Sequence, residues 1–271
     1  MDRRRFLRRF ARAGATTAAG VVLGSAVTQA VANPYPPHLL NSVAPRSQRG
    51  RTAVYWSVDT TDRAIALTFD DGPTTQYTTA VLDILAEHDA RATFFMIGLL
   101  AQRHPELVER VIGDGHEVGN HSYDHVSAVR LDRAEVVDSI AMAQSVLEAR
   151  TGTTVRWYRA PRGEITTATL IACGDLDLDL AFWTAQRGPR SLPDDDVAGV
   201  ERHLLAAAEP GAIIDLHDGI GTGGYDGDGD ARLITRRDTE LAALPAVLEG
   251  WRAAGFDIVT LSDLVARQRS E

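Results

Sequence analysis

The stretch Ala64-Ile65-Ala66-Leu67-Thr68-Phe69-Asp70-Asp71-Gly72-Pro73 decides the fold prediction, because two adjacent carboxylates directly follow an apolar run. The run is typical of a short buried strand, and Gly72-Pro73 ends it sharply. Successive side chains at a strand end point in different directions, so one Asp can bind a metal while the other acts as a base. Adjacent carboxylates also repel each other unless a positive charge lies beside them. Taken alone, Asp-Asp-Gly-Pro is more often a solvated turn.

A second motif, Gly119-Asn120-His121-Ser122-Tyr123-Asp124-His125, contains two imidazoles four residues apart. This spacing also occurs on helix faces and among ordinary surface residues. If the segment turns back on itself, His121 and His125 can bind one divalent ion together with a carboxylate. Such a ligand set leaves a coordination position open, as catalytic metal centres do. Because both motifs follow apolar strands, their combination predicts a metal site.

The first 32 residues have the pattern of a bacterial export signal. Arg3-Arg4-Arg5-Phe6-Leu7-Arg8 fits the twin-arginine motif, a weakly apolar run follows at residues 13–31, and Ala30-Val31-Ala32 offers small residues for cleavage. A membrane anchor is the alternative, although the run holds many Thr and Gly residues. We expect export by the twin-arginine route and an extracellular or wall-associated protein, with no stable membrane span in the mature chain.

Composition narrows the classes of partner. The chain of 271 residues has a formal net charge of −9, and residues 1–32 carry six Arg and one Asp, so the remainder has a charge of −14. This charge argues against a nucleic acid or an anionic membrane as partner. Residues 33–62 begin rich in Pro, Ser and Arg and show no periodicity, which predicts a linker or N-terminal arm. Residues 63–271 remain as one folded domain, which we expect to be monomeric.

Strand-like and helix-like segments alternate along this domain. Seven apolar runs predict strands at residues 64–69, 92–97, 117–119, 157–159, 178–183, 212–217 and 256–260. Six amphipathic segments predict helices at residues 78–88, 105–112, 133–149, 166–172, 197–208 and 240–254. The alternation predicts an α/β fold with a parallel sheet, and about seven strands favour a distorted (β/α) barrel over an open sheet.

Polar or aromatic residues lie at the ends of most of these predicted strands. Beyond Asp70, Asp71, His121 and His125, they are Arg159, Trp183 and His217. The carboxyl ends of barrel strands converge on one rim, where active sites form. The sequence therefore predicts an active site at the C-terminal rim.

These motifs resemble those of the polysaccharide deacetylases, the carbohydrate esterases of family four, over roughly residues 65–264. Thr68–Pro73 is similar to the first motif of that family and His121–His125 to the second. Arg159–Gly163 is similar to the third motif, and Leu216–Gly219 falls where the fifth begins. The resemblance implies hydrolysis of acetyl groups from chitin-like, peptidoglycan or xylan substrates. It also implies one divalent metal, commonly zinc, with cobalt or another divalent ion as alternatives.

The resemblance also implies roles for individual residues. Asp71, His121 and His125 would hold the metal, and Asp70 would be the general base. Arg159 would pair with Asp70 and keep it ionised. His217 would protonate the leaving group from the opposite side of the rim.

Five further residues are expected to line the substrate site: Pro161, Arg162, Trp183, Asp215 and Leu216. Trp183 would cover the acetyl methyl group, or it is an ordinary core aromatic. Arg162 would place a cation at the edge of the groove, or it is a solvated rim charge.

The chain departs from the family pattern in three places. Ala160 and Arg162 stand where the third motif usually has Pro and Tyr, and Asp215 stands where the family normally has Leu. No acid occurs at residues 184–190, where the family places the Asp that orients and charges the catalytic His. We therefore hypothesise that Asp215, two residues before His217, takes over that duty. The alternative is that Asp215 simply binds a neighbouring arginine, such as Arg187, Arg190 or Arg162.

An insertion rich in Gly and Asp occupies residues 221–230. The twelfth position counted from Asp226 is Arg237 and not a bidentate Glu, which favours an acidic rim loop over a calcium loop. The predicted function is that of a secreted metal-dependent hydrolase removing acetyl groups from an N-acetylated polysaccharide. The alternatives are an O-acetyl esterase acting on xylan-type glycans and a carbohydrate-binding pseudoenzyme of the same fold.

Overall fold

The computed structural model describes residues 52–222 and 228–269, with the backbone alone described at residues 228–230. The predicted export signal, residues 33–51 of the predicted arm and the centre of the insertion lie outside the described residues. Among the described residues, no helix is both long enough and apolar enough to cross a bilayer.

Nine strands of the described residues form one sheet, and every pair of strands in it is parallel. They are β1 (Val54–Tyr55), β2 (Ala64–Asp70), β3 (Thr93–Met96), β4 (Glu117–Asn120), β5 (Trp157–Tyr158), β6 (Asp179–Ala181), β7 (Ala185–Gln186), β8 (Ala212–His217) and β9 (Asp257–Val259). The order across the sheet is β1-β6-β5-β4-β3-β2-β8-β7, and β9 also pairs with β2. The predicted parallel sheet is confirmed.

The sheet is curled because two consecutive strands, β6 and β7, pair with strands in different parts of it. Only residues 182–184 separate β6 from β7, yet β6 pairs with β5 while β7 pairs with β8. The amide of Thr184 extends the second pairing by donating to the carbonyl of Ile213. This geometry is the distorted (β/α) barrel that the alternation of elements predicted.

Eight helices connect or cover the strands in the described residues. They are α1 (Tyr77–Glu87), α2 (Gly98–Arg103), α3 (Pro105–Gly113), α4 (Arg133–Thr151), α5 (Thr167–Asp175), α6 (Val197–Ala206), α7 (Asp228–Ala253) and α8 (Leu261–Val265). Local chemistry sets several boundaries: α4 begins with a capping box between Asp132 and Glu135 and ends at Gly152, whose φ of 67° is left-handed.

The elements that the sequence pattern did not predict are short, and one predicted helix begins earlier than expected. Strands β1 and β7 have two residues each, and helices α2 and α8 have six and five, so none is long enough for a hydrophobic pattern to repeat clearly. Strand β1 lies within the segment predicted as a linker or arm and pairs with β6. Helix α7 begins at Asp228 and not at residue 240, so it is twelve residues longer at its N-terminus than predicted.

Strand β2, which pairs with β3, β8 and β9, shows how the fold positions the site. All seven of its residues are buried, and its side chains alternate between two environments. Ile65, Leu67 and Phe69 belong to the core beneath the helices, whereas Ala66 packs with residues of the barrel interior. By the same alternation, the side chain of Asp70 points into the barrel at the carboxyl end of β2.

Candidate active site

The chain changes direction immediately after β2. Asp71 has a φ of 76°, a left-handed conformation that a non-glycine residue adopts only at some energetic cost. Ser122 and His125, with φ values of 64° and 60°, adopt similar conformations in the second motif. Such backbone outliers concentrate at functional sites, and here they aim Asp71 and His125 at the same point.

Asp71, His121 and His125 form a buried cluster whose ligand atoms all lie within 4.8 Å of one another. Asp71 Oδ1 lies 3.0 Å from His125 Nε2 and 3.5 Å from His121 Nε2. That oxygen is buried and has no hydrogen bond of acceptable geometry among the described residues. A buried carboxylate oxygen that faces two imidazole nitrogens without a shared proton fits a divalent metal. The three predicted ligands are thus brought together as a metal-binding triad.

Neighbouring groups fix the orientation of these ligands. The Nδ1 atom of His121 lies 2.8 Å from the carbonyl oxygen of Arg159, so it can donate its proton there and leave Nε2 free as a ligand. The second oxygen of Asp71 accepts from Arg237 Nη2 at 3.2 Å. Burial alone would raise the pKa of Asp71, but the neighbouring imidazoles of His121 and His125 outweigh it and hold that pKa well below its usual value.

Asp70 is buried beside the triad and pairs with a buried arginine. Arg159 Nη1 donates to Asp70 Oδ1 at 2.9 Å and to Thr68 Oγ1 at 2.7 Å. The guanidinium is fixed by the carbonyl oxygens of Ala181 and Phe182, at 3.1 and 3.0 Å. Asp70 Oδ2 remains 3.7 Å from His121 Nε2. The two adjacent carboxylates therefore have different partners, as a base and a metal ligand require.

Asp215 also binds Arg159. Its Oδ1 accepts from Arg159 Nη1 at 3.0 Å, so one guanidinium nitrogen serves Thr68, Asp70 and Asp215. The neighbouring arginine that binds Asp215 is thus Arg159, whereas Arg187 donates to the carbonyls of Pro193 and Asp194. Burial and the charge of Asp70 raise the pKa of Asp215 to about 7, against the opposing effects of Arg159 and His217.

His217, at the end of β8, faces the carboxylate of Glu240, which no sequence motif indicated. Glu240 Oε2 accepts from the backbone amide of His217 at 3.0 Å and lies 3.4 Å from its Nδ1. Burial and Arg237 lower the pKa of His217, but Asp215 and Glu240 outweigh them and raise it to about 9. An imidazole with this pKa carries a proton at neutral pH and can act as a general acid.

The remaining predicted residues have different environments. Pro161 is buried in a short 3₁₀ turn, and Arg162 is exposed with a φ of 60°. Trp183 is half-buried; its ring lies 5.7 Å from the guanidinium carbon of Arg159 and close to Gly163. Leu216 packs in the core beneath the helices with 1% exposure, on the face of β8 opposite its neighbours Asp215 and His217.

Glu240 and Arg237 both lie on α7, and the sequence motifs assigned neither of them a role in the site. A signal for them exists: Glu240, Leu244, Val247, Leu248 and Trp251 follow helical spacing, so Glu240 falls on the apolar stripe of α7. Arg237 lies one turn earlier on the same stripe. A charged pair on the buried face of a helix needs partners, and here those partners are Asp71 and His217.

Comparison with known proteins agrees with this site. The family model described as polysaccharide deacetylase matches residues 57–181, a segment that contains Asp70, the metal-binding triad and Arg159. The chain is also 33% identical to a peptidoglycan-N-acetylglucosamine deacetylase of Bacillus cereus over 218 residues, which is 78% of this chain and 92% of that protein. The chain belongs to the polysaccharide deacetylases of carbohydrate esterase family four.

Two further relatives show the breadth of the family. A chitooligosaccharide deacetylase of Bradyrhizobium is 36% identical over 203 residues, covering 74% of this chain and 90% of its own length. The crystal structure of a peptidoglycan N-acetylglucosamine deacetylase in complex with an N-hydroxybenzamide compound superposes with a TM-score of 0.69 at 25% identity. The superposed region covers 80% of this chain and 96% of the chain in that structure. This chain is therefore a polysaccharide deacetylase in which the metal-binding triad is present.

Proposed function

We propose that this chain is an exported, zinc-dependent deacetylase that removes acetyl groups from N-acetylglucosamine units of a peptidoglycan- or chitin-like polysaccharide. The observation that carries the proposal is the buried triad of Asp71, His121 and His125 beside the separate Asp70–Arg159 pair. The substrate class is supported by relatives named for deacetylation of peptidoglycan and chitooligosaccharides. Zinc is supported by the ligand types, because imidazole and carboxylate are its common ligands at catalytic sites.

Asp71, His121 and His125 would hold the metal. When bound, a divalent ion at this position supplies a water of lowered pKa and polarises an acetyl carbonyl. The residues around it then provide the proton transfers.

Asp70 accepts the proton of the attacking water. Its Oδ2 faces the metal-binding triad at 3.7 Å from His121 Nε2, while its Oδ1 is occupied by Arg159 at 2.9 Å. The guanidinium stabilises the ionised carboxylate and restricts its rotation, so the free oxygen stays aimed at the site. Burial of the pair also excludes competing water from its hydrogen bonds.

His217 donates the proton that the leaving nitrogen requires. Its imidazole is on β8, the neighbour of β2, and its Cα is paired with that of Asp70 across the two strands. The pKa of about 9 keeps the ring protonated at neutral pH. An amine is a poor leaving group without protonation, so this acid suits an amide substrate.

Export through the twin-arginine route forms part of the proposal. It is supported by Arg3-Arg4-Arg5-Phe6-Leu7-Arg8 and the weakly apolar run that follows. An extracellular or wall-associated enzyme would meet its polymeric substrate there. Export of a reporter fused to residues 1–32 should stop when Arg4 and Arg5 are replaced by Gln, and continued export of that variant would reject the route.

The function is tested by acetate release. Metal-free protein, and protein reloaded with zinc or cobalt, should be incubated with chitopentaose, N-acetylated peptidoglycan and acetylated xylan, with His121→Ala as control. We expect acetate from the first two substrates, dependent on metal and absent in the variant. Release from xylan alone would indicate the O-acetyl esterase, and no release from any substrate would indicate a pseudoenzyme.

A further inference from the structure

We propose that Glu240 is the positioning residue of His217, supplied by helix α7 in place of the acid that this chain lacks after Trp183. The proposal deepens the proposed function, because it assigns the group that orients and charges the general acid of the same site. Both Glu240 and His217 lie outside residues 57–181, the segment that the family model matches.

The contacts of Glu240 define both the position and the tautomer of the imidazole. One oxygen, Oε2, accepts from the backbone amide of His217 at 3.0 Å and lies 3.4 Å from Nδ1 of the same residue. A carboxylate at Nδ1 favours the proton on that nitrogen and turns the Nε2 edge away from α7. Glu240 is 3% exposed, so its charge is little screened by solvent.

Arg237 holds Glu240 in place one helical turn earlier. Its Nη1 donates to Glu240 Oε1 at 3.1 Å, while its Nη2 donates to Asp71 Oδ2 at 3.2 Å. Each oxygen of Glu240 thus has its own partner, which restricts the rotation of the carboxylate. The chain of contacts runs from His217 through Glu240 and Arg237 to the ligand Asp71, and it joins the acid to the metal-binding triad.

The rest of α7 fixes this arrangement relative to the barrel. Leu244, Val247, Leu248 and Trp251 continue the same helical stripe and have between 0 and 1% exposure in the main core. The Nε1 atom of Trp251 donates to the carbonyl of Leu204 at 3.0 Å and ties α7 to α6. Glu240 therefore reaches His217 from a rigid element, which positions a side chain more precisely than a loop does.

Several charged groups surround His217, so the contribution of Glu240 must be separated from theirs. Those groups are Asp70 and Asp71 at the end of β2, Asp215 on β8 itself, and Arg237 and Glu240 on α7. Asp215 already binds Arg159, whereas Glu240 Oε2 accepts from the backbone amide of His217 and lies 3.4 Å from its Nδ1. Burial and Arg237 oppose protonation of His217, and Asp215 and Glu240 favour it.

The test compares Glu240→Gln with Asp238→Asn, which removes one negative charge from an exposed position on the same helix. In zinc-loaded protein, the imidazole pKa of His217 is measured by NMR and the pH dependence of acetate release from chitopentaose is followed. We expect Glu240→Gln to lower that pKa and the alkaline limb by about one unit or more and kcat/KM by about tenfold or more. Asp238→Asn should leave both unchanged. An unchanged His217 pKa in Glu240→Gln would overturn the proposal.

Two further measurements separate positioning from a merely structural role. In a His217→Asn background, adding Glu240→Gln should change the residual rate by less than about twofold, since Glu240 acts through the imidazole. A full additional loss there would overturn the proposal. In the wild type, a downfield Nδ1 proton of His217 is expected, and its absence would also overturn it. The NMR measurements need no turnover, so they decide the role of Glu240 even if no glycan releases acetate.

Discussion

The two sides of the active site are built in different ways. On the metal side, Asp70, Asp71, His121 and His125 lie in two short motifs at the ends of β2 and β4. On the acid side, His217 ends β8, but its charged partner Glu240 comes from α7, 23 residues later in the chain. The metal side is therefore specified by strand ends and local turns, whereas the acid side depends on the packing of a helix against the barrel.

This difference indicates which part of the site can vary between related proteins. Ligands at strand ends are fixed by the backbone, and their left-handed turns at Asp71 and His125 leave little freedom. A carboxylate that serves His217 only has to reach Nδ1 from some neighbouring element. Under the proposal above, α7 supplies the carboxylate that is missing after Trp183.

The largest effect is expected from a variant that removes one ligand on the metal side. His121→Ala removes a buried ligand whose Nε2 faces Asp71 Oδ1 at 3.5 Å. Two remaining ligands hold a divalent ion too weakly for stoichiometric occupancy, so we expect loss of both bound metal and acetate release. Elemental analysis of the purified variant checks the first result. His104→Ala, a histidine of α3's N-terminus away from the site, is the matched control.

A smaller effect is expected where the two sides meet. Arg237→Gln removes the donor that Asp71 Oδ2 and Glu240 Oε1 share. Groups that orient a ligand contribute about tenfold to a hundredfold to metal affinity, so zinc affinity should fall within that range. Competition with a chromophoric chelator measures it, and Arg236→Gln on the same helix is the control. Equal affinities for the two variants would show that the sides are independent.

The sequence specifies the metal side almost completely. Strand β2 ends in Asp70 and Asp71, and the second motif follows β4, so parallel pairing alone brings these residues to one rim. The acid side was not predictable from motifs, because Glu240 gains its meaning only when α7 packs beside β8. The hypothesis that Asp215 serves His217 depends on alternation along β8, which cannot reveal that Arg159 donates a hydrogen bond to Asp215 at 3.0 Å.

The fold, like the site, was only partly predictable from the sequence. Long periodic segments such as β2, α4 and the apolar part of α7 were predictable from hydrophobic pattern. The two-residue strands β1 and β7 were not, because partners across the sheet define them. The first turns of α7 were also missed, since Asp- and Gly-rich residues precede its apolar stripe.

The smallest expected effect concerns Asp215. Its charge helps to raise the pKa of His217 to about 9, and the imidazolium is the form that donates, so activity should decline as pH rises through that value. Asp215→Asn and Asp215→Leu should lower this alkaline limb by a fraction of a unit and the rate a few-fold, less than Glu240→Gln. The pH–rate profile of acetate release measures the effect. An unchanged limb and rate would show that Asp215 serves only Arg159.

The division of labour between the adjacent carboxylates is the central claim, and bound zinc in Asp70→Asn and Asp71→Asn tests it most directly. Asp70 pairs with Arg159, whereas Asp71 faces both imidazoles. Asp70→Asn should keep about one zinc per chain while losing activity about a hundredfold or more, the usual contribution of a general base. Asp71→Asn should lose the zinc. Loss of zinc from Asp70→Asn with retention in Asp71→Asn would contradict the account.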